Sequence, residues 1–242
     1  MGRLTDIERF RELFAKGGME VTDEQYQKLS RYAEMLCEWN EKMNLTAITD
    51  PEGITEKHFY DSVYPFTLTD IDIGSLIDVG TGAGFPSVPL GIFRPGIKLT
   101  LLDSLNKRVG FLKAVTGELS LDAECVHGRA EETARFIKGG NPMRESFDAA
   151  TARAVANLSD LCEYCLPFVK VGGKFIALKG KSGLDELKEA EGAVKALGGE
   201  VSEVKSYTLP CGDERTLIVI SKKSPCEQKY PRNAGQMKKH RL

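Results

Sequence analysis

No apolar run in these 242 residues reaches the length of a membrane span, and none near the amino terminus has the make-up of a secretory leader. The chain is therefore expected in the cytoplasm, with no membrane partner. An excess of charge is also missing. The 33 basic and 35 acidic side chains leave −2, which argues against an indiscriminate nucleic-acid binder. The six cysteines, at positions 37, 125, 162, 165, 211 and 226, show no disulfide framework and read as reduced thiols. Cys162-x-x-Cys165 has no second pair, so no metal is expected. Neither an internal repeat nor a low-complexity linker divides the chain. With 41% hydrophobic and 28% charged residues, it has the composition of a globular protein able to bury a core without staples.

What charge there is lies unevenly. From Lys222 to Leu242, seven basic residues face Glu227 alone, a local excess of six. Such a tail is drawn to phosphate at low salt; a frayed, solvated end would have the same composition.

The first forty-odd residues have helical spacing. Thr5 with Glu8 fits a capping box ahead of Ile7, Phe10, Leu13 and Phe14. Thr22 with Gln25 repeats it. Tyr26, Leu29, Tyr32 or Ala33, Leu36, Trp39 and Met43 then form one apolar stripe, expected to dock on a larger domain. A third helix is expected from Ile54 to about Phe66. The period then changes to strands at 75–79, 98–103, 123–127, 147–152, 174–179, 200–208 and 215–221. Helices fit at 88–93, 105–119, 131–137, 158–168 and 184–197. Alternation of this kind implies an α/β fold with a doubly wound, seven-stranded, mostly parallel sheet ending in an antiparallel hairpin. The expected organisation is a helical extension over 1–66, a main domain over 67–223 and a basic tail over 224–242.

The connection after the first strand carries the chemistry. Leu76-Ile77-Asp78-Val79 leads into Gly80, Gly82 and Gly84, followed by Phe85, and the next strand closes on Asp103. Glycines there let the backbone take positive φ and approach a ligand, and a carboxylate ending the next strand can accept from a ribose diol. A dinucleotide fingerprint would place its third glycine one residue later, where Phe85 stands. The compact G-x-G-x-G turn resembles instead the cofactor loop of S-adenosylmethionine-dependent methyltransferases. A nicotinamide or flavin enzyme, or a plain tight turn beside a solvated Asp103, are the other readings.

Further segments resemble one family over nearly the whole chain. They are Trp39-Asn40 with Met43-Asn44-Leu45-Thr46, His58-Phe59-Tyr60-Asp61-Ser62, Asp78 through Pro86, and Leu101 through Arg108. Arg129-Ala130-Glu131-Glu132, Ala152-Arg153-Ala154, Ala177-Leu178-Lys179-Gly180 and Lys229-Tyr230-Pro231-Arg232 continue the series. The resemblance is to the bacterial 16S rRNA guanine-N7 methyltransferases, also called glucose-inhibited division protein B. Met237 and Arg241 depart from it, standing where prolines are expected. A small-molecule or protein methyltransferase of the same fold is the alternative reading.

The resemblance implies S-adenosyl-L-methionine as cofactor and 16S rRNA or the small ribosomal subunit as partner, met by a monomer. It implies that Gly80, Gly82, Gly84, Phe85, Asp103, Ala130, Glu131 and Arg153 hold the cofactor. Arg153, His58 and Asp61 are the candidate catalytic residues. His58 and Asp61, three apart, would share a helix face as a proton relay or as a structural pair. Asn44, Lys107, Arg108, Lys179, Lys229 and Arg232 are the candidate RNA contacts. The fourth strand ends Thr151-Ala152-Arg153-Ala154, without the Asn/Asp-Pro-Pro-aromatic sequence of exocyclic-amine methyltransferases. Nor is a cysteine nucleophile expected: Cys211 lies in the late hairpin connection. Guanine N7 needs neither, since it offers an in-plane lone pair and no proton.

Overall fold

The computed structural model describes residues 4–242. One sheet runs in the order β3-β2-β1-β4-β5-β7-β6. Its strands are β1 (Ser75–Val79), β2 (Lys98–Asp103), β3 (Ala123–His127), β4 (Phe147–Arg153), β5 (Val169–Lys179), β6 (Gly199–Thr208) and β7 (Glu214–Lys222). The first five run parallel, and β7 lies antiparallel between β5 and β6. The expected doubly wound, mostly parallel sheet is present. Its order reverses between β1 and β4, and ligands of such sheets bind beside the carboxyl ends at that point.

The helices are α1 (Ile7–Lys16), α2 (Asp23–Met43), the one-turn α3 (Pro51–Gly53) and α4 (Asp61–Val63), α5 (Ser87–Phe93) and α6 (Asn106–Glu118). They continue with α7 (Ala130–Thr133), α8 (Leu158–Cys165), α9 (Gly183–Glu189), α10 (Glu191–Ala196) and α11 (Ala234–Lys239). Alternation along the strands sends Leu76, Leu99, Leu101 and Ile176 to one face of the sheet, and Ile77, Val79, Leu102 and Phe175 to the other. Helices α1, α2, α5 and α6 cover the first face. Leu29, Tyr32, Ala33 and Leu36 of the apolar stripe are fully buried there. Each large side chain so buried contributes about 1.5–3 kcal/mol. Helices α8 and α10, with Cys226 and Tyr230 of the tail, cover the second face.

Several boundaries differ from the expectation. The α2 capping box of Thr22 and Gln25 is formed, whereas α1 is capped by Asp6. Thr5 turns its hydroxyl to Thr55 instead. The helix expected from Ile54 is a π-helix over Ile54–Tyr60, flanked by α3 and α4, and closes in a 3₁₀ turn over Tyr64–Thr67. Pro65 has no N–H with which to continue an α ladder. Helix α7 stops at Thr133 because the Asn141 side-chain amide takes the carbonyls of Thr133 and Arg135. The helix expected over 184–197 divides at Ala190 into α9 and α10. The tail is docked rather than frayed: a capping box of Asn233 and Gln236 starts α11, Met237 is buried, and Arg241 pairs with Asp160.

Candidate active site

The turn between β1 and α5 holds Gly80, Gly82 and Gly84 at φ +71°, +62° and +98°. Gly80 and Thr81 donate their N–H groups to the Leu102 carbonyl (2.8 and 3.2 Å), fastening the turn to β2. Two glycines are demanded by close packing as well as by φ. A Cβ on Gly80 would lie 2.8 Å from Val155, and one on Gly84 would lie 2.8 Å from the Tyr32 hydroxyl. Tyr32, wholly buried on α2, donates to the Ala83 carbonyl. The amino-terminal helices thus brace the turn directly.

Asp103 is 2% exposed, so it is no solvated strand end. Its carboxylate accepts from the Gly82 N–H (2.9 Å) and the Leu105 N–H (2.8 Å), with Arg108 3.6 Å away. Each oxygen retains a lone pair for a hydroxyl. Beside it opens a cavity of about 210 Å³ lined by Gly80, Leu102, Ser104, Gly128, Arg129, Ala130, Glu131, Val155 and Tyr164. Gly80, Ala130 and Glu131 among the expected cofactor residues line it. Gly82, Gly84 and Phe85 do not; they shape the turn behind it. The Glu131 carboxylate is held by Arg129 Nε at 2.8 Å.

A second cleft, of about 500 Å³, lies on the other side of residues 153–156 and is lined by His58, Asp61, Arg153, Lys57, Lys179 and Arg215, among others. Asp61 is buried and accepts from Arg215 Nε (3.0 Å) and the Tyr207 hydroxyl (3.4 Å), with Arg153 Nη1 3.6 Å away. Lys57 pairs with Asp213 at 3.2 Å. Phe85 is the partition: its ring stacks on His58 (4.3 Å, 14°), and the Arg153 guanidinium lies 5.1 Å from its centroid. His58 Nε2 meets the Thr46 hydroxyl at 2.8 Å. Burial, and then the Arg153 cation, push the imidazole down to about 3, so it is neutral.

His58 and Asp61 do not form the expected relay, because no hydrogen bond joins them among the described residues. In a π turn, with its i→i+5 bonds, residues three apart no longer share a face. The expected RNA contacts scatter. Asn44 ends α2 in the left-handed region (φ 49°), a helix-stop role. Lys107 is exposed, whereas Arg108 leans on Asp103. Lys229 pairs with Glu227. Lys179 is buried against Glu186 (2.7 Å) and the Ala156 carbonyl (2.8 Å), and Arg232 is locked on Glu163. For Lys179 and Arg232 the expected free phosphate contact gives way to a protein carboxylate.

Asp78, fully buried beneath the turn, accepts from the Thr81 hydroxyl (2.8 Å) and the Ser87 N–H (3.3 Å). Desolvation pushes its carboxyl up to about 7. Asp78 Oδ1, Ser87 Oγ and Arg153 Nη1 are buried with no hydrogen-bond partner among the described residues. Sequence reasoning missed Tyr164, Arg129 and Val155 in the cavity. It also missed Arg215, Tyr207, Lys57 and Asp213 in the cleft, which come from the late hairpin and the π-helix with no local motif to mark them.

Solved structures share this architecture. An O-methyltransferase from Bacillus cereus in complex with SAH superposes with a TM-score of 0.59 at 14% identity, covering 90% of this chain and all of that one. A SAM-dependent O-methyltransferase from Thermotoga maritima gives 0.51 at 16% identity, covering 81% and 72%. Sheet order and glycine turn together define a methyltransferase of the S-adenosylmethionine-dependent fold. Within that class, the family model described as GidB, rRNA small subunit methyltransferase G, matches residues 25–218, and the chain belongs to this family. Proteins named ribosomal RNA small subunit methyltransferase G are similar over most of their length. The Alkaliphilus metalliredigens protein is 51% identical over 90% of this chain and 91% of its own. The Exiguobacterium sibiricum protein is 48% identical over 94% and 95%.

The site fits S-adenosylmethionine. The cavity beside Asp103 suits a nucleoside, and the three orphaned polar atoms suit the charged end of an amino acid. Asp78 Oδ1 is an acceptor for an ammonium, and Arg153 Nη1 a donor for a carboxylate.

Proposed function

We propose that the chain transfers the methyl group of S-adenosylmethionine to N7 of a guanine in small-subunit rRNA. The observation that carries this reading is the placement of residues 153–156. Arg153 and Ala154 line the cationic cleft, and Val155 and Ala156 line the nucleoside cavity, so donor and acceptor would meet across one short segment. The bound cofactor supplies an activated methyl on a sulfonium. The protein's own residues bind, align and exclude water.

Guanine N7 attacks through a lone pair, so no general base is required. A neutral, stacked His58 and an Asp61 engaged by arginine and tyrosine suit that requirement, since neither is free to carry a proton. We assign them to positioning: His58 fixes the Phe85 partition, and Asp61 fixes the forks of Arg215 and Arg153. The guanine edge presents O6 beside N7 as acceptors. A cation of the cleft gripping O6 leaves N7 free to react. On this reading the enzyme works as a monomer in the cytoplasm. Among the described residues, no helix is long and apolar enough to cross a membrane.

The test is nucleoside analysis of rRNA from cells lacking the gene. One 7-methylguanosine should vanish from small-subunit rRNA and return when purified protein and cofactor are supplied. An unchanged modification profile would sink the substrate assignment.

A further inference from the structure

Glu163 is 1% exposed and sits on α8 next to Tyr164, which lines the nucleoside cavity. Its two oxygens receive four hydrogen bonds from Arg232. The backbone N–H (2.7 Å) and Nε (2.9 Å) reach Oε1, while Nε (3.2 Å) and Nη2 (2.7 Å) reach Oε2. The remaining guanidinium nitrogen donates to the His240 carbonyl at 2.8 Å. This fork is committed to the protein's own groups.

A second guanidinium repeats the device. Arg144 Nη1 donates to the carbonyls of Ala134, just past α7, and Tyr230, while Nη2 donates to those of Cys226 and Glu227. The Cys226 N–H donates to Glu145 at 2.7 Å, and Arg241 reaches Asp160 on α8 at 3.1 Å. These links converge on the two walls of the cavity: α7, which bears Ala130 and Glu131, and α8, which bears Tyr164. Helix α7 has four residues and cannot hold its own place.

On the reading that this cavity takes the cofactor's nucleoside, we infer that the C-terminal segment is a strap setting the spacing of its walls. Arg232 is then a positioning residue for cofactor binding, acting through Glu163 on Tyr164, and not a contact to RNA phosphate. The basic composition of the tail arises because carboxylates of the main domain, Glu163 and Asp160, await it.

The test uses the full chain and the variants Arg232→Met, Arg232→Lys and Glu163→Gln. Calorimetry with S-adenosylhomocysteine is combined with steady-state KM for S-adenosylmethionine and for small-subunit rRNA. Arg232→Met should weaken S-adenosylhomocysteine binding at least fivefold and raise KM for the cofactor in parallel. KM for RNA and its salt dependence should stay within twofold. Arg232→Lys should fall between, since an ammonium holds one carboxylate oxygen but cannot fork. The double variant Arg232→Met/Glu163→Gln should bind no more weakly than the weaker single. If Arg232→Met does not fold, Arg232→Lys and Glu163→Gln decide the matter by the same split. A rise in KM for RNA with unaltered cofactor binding would overturn the strap. So would wild-type affinity in both milder variants. Failure of the wild-type chain itself to bind S-adenosylhomocysteine would instead remove the functional reading beneath it.

Discussion

The nucleoside cavity and the cationic cleft share residues 153–156, yet they are built from different materials. The cavity is largely backbone: glycines at positive φ, a turn fastened to the Leu102 carbonyl, and one carboxylate already fixed by two N–H groups. The cleft is side chain: Asp61 from the π-helix end, Arg153 from β4, and Tyr207 and Arg215 from the hairpin, the last 154 positions from Asp61. A backbone site is rigid before its ligand arrives. A site of paired charges can exchange partners, as binding an anionic polymer requires.

The largest test of that contrast is Asp103→Ala. It strands two N–H groups of the turn as well as removing the ribose acceptor, and charged hydrogen bonds of this kind contribute about 1.5–3 kcal/mol each. S-adenosylhomocysteine affinity should fall at least about a hundredfold by calorimetry, while RNA retention on filters holds. Asp61→Asn should do the reverse. Removing one partner of a buried ion pair costs about 3–5 kcal/mol, less here because Arg215 keeps Asp213. The turnover number should drop tenfold or more with cofactor affinity within twofold. A collapse of cofactor affinity in Asp61→Asn would erase the distinction between the two regions.

Two smaller effects sharpen it through pH. Burial raises the Asp78 carboxyl from 3.8 to about 7. Its contribution to the stability of the free protein is therefore complete below 3.8 and lost as pH rises through about 7. A ligand ammonium favours the ionised form, so S-adenosylhomocysteine affinity should climb several-fold between pH 5.5 and 7.5, and Asp78→Asn should flatten that climb. His58 has the opposite sign. Its imidazole is lowered from 6.5 to about 3, so its contribution is intact above 6.5 and is lost as pH falls toward 3. Chemical denaturation should show about 2 kcal/mol of loss between pH 6.5 and 5 that His58→Gln lacks.

The sequence made the cavity half legible and the cleft hardly at all. Period and glycine spacing located all seven strands and the turn, because those depend on neighbours in the chain. The same spacing said nothing of why Gly84 is a glycine; that depends on Tyr32, fifty-two residues earlier. Arg153 was found through family resemblance, but Arg215 and Tyr207 were not, since nothing near them marks a hairpin residue that reaches back to Asp61. The tail misled in an instructive way. Summed charge counts cations without their partners, and Arg232, Arg241 and Lys222 meet carboxylates far off in the sequence.

One consequence follows from the wider helical turn over Ile54–Tyr60. Its additional residue lets Phe59 pack beside Tyr32 while His58 lies flat on Phe85 and Asp61 faces the arginines. Deleting a single residue there would restore ordinary winding and swing everything downstream by about 100°. Both sides of the partition would lose their contacts together. Evolution of this segment is thus free in composition on its outer side but held to a fixed length, and single-codon deletions should be far more damaging than substitutions at its exposed positions.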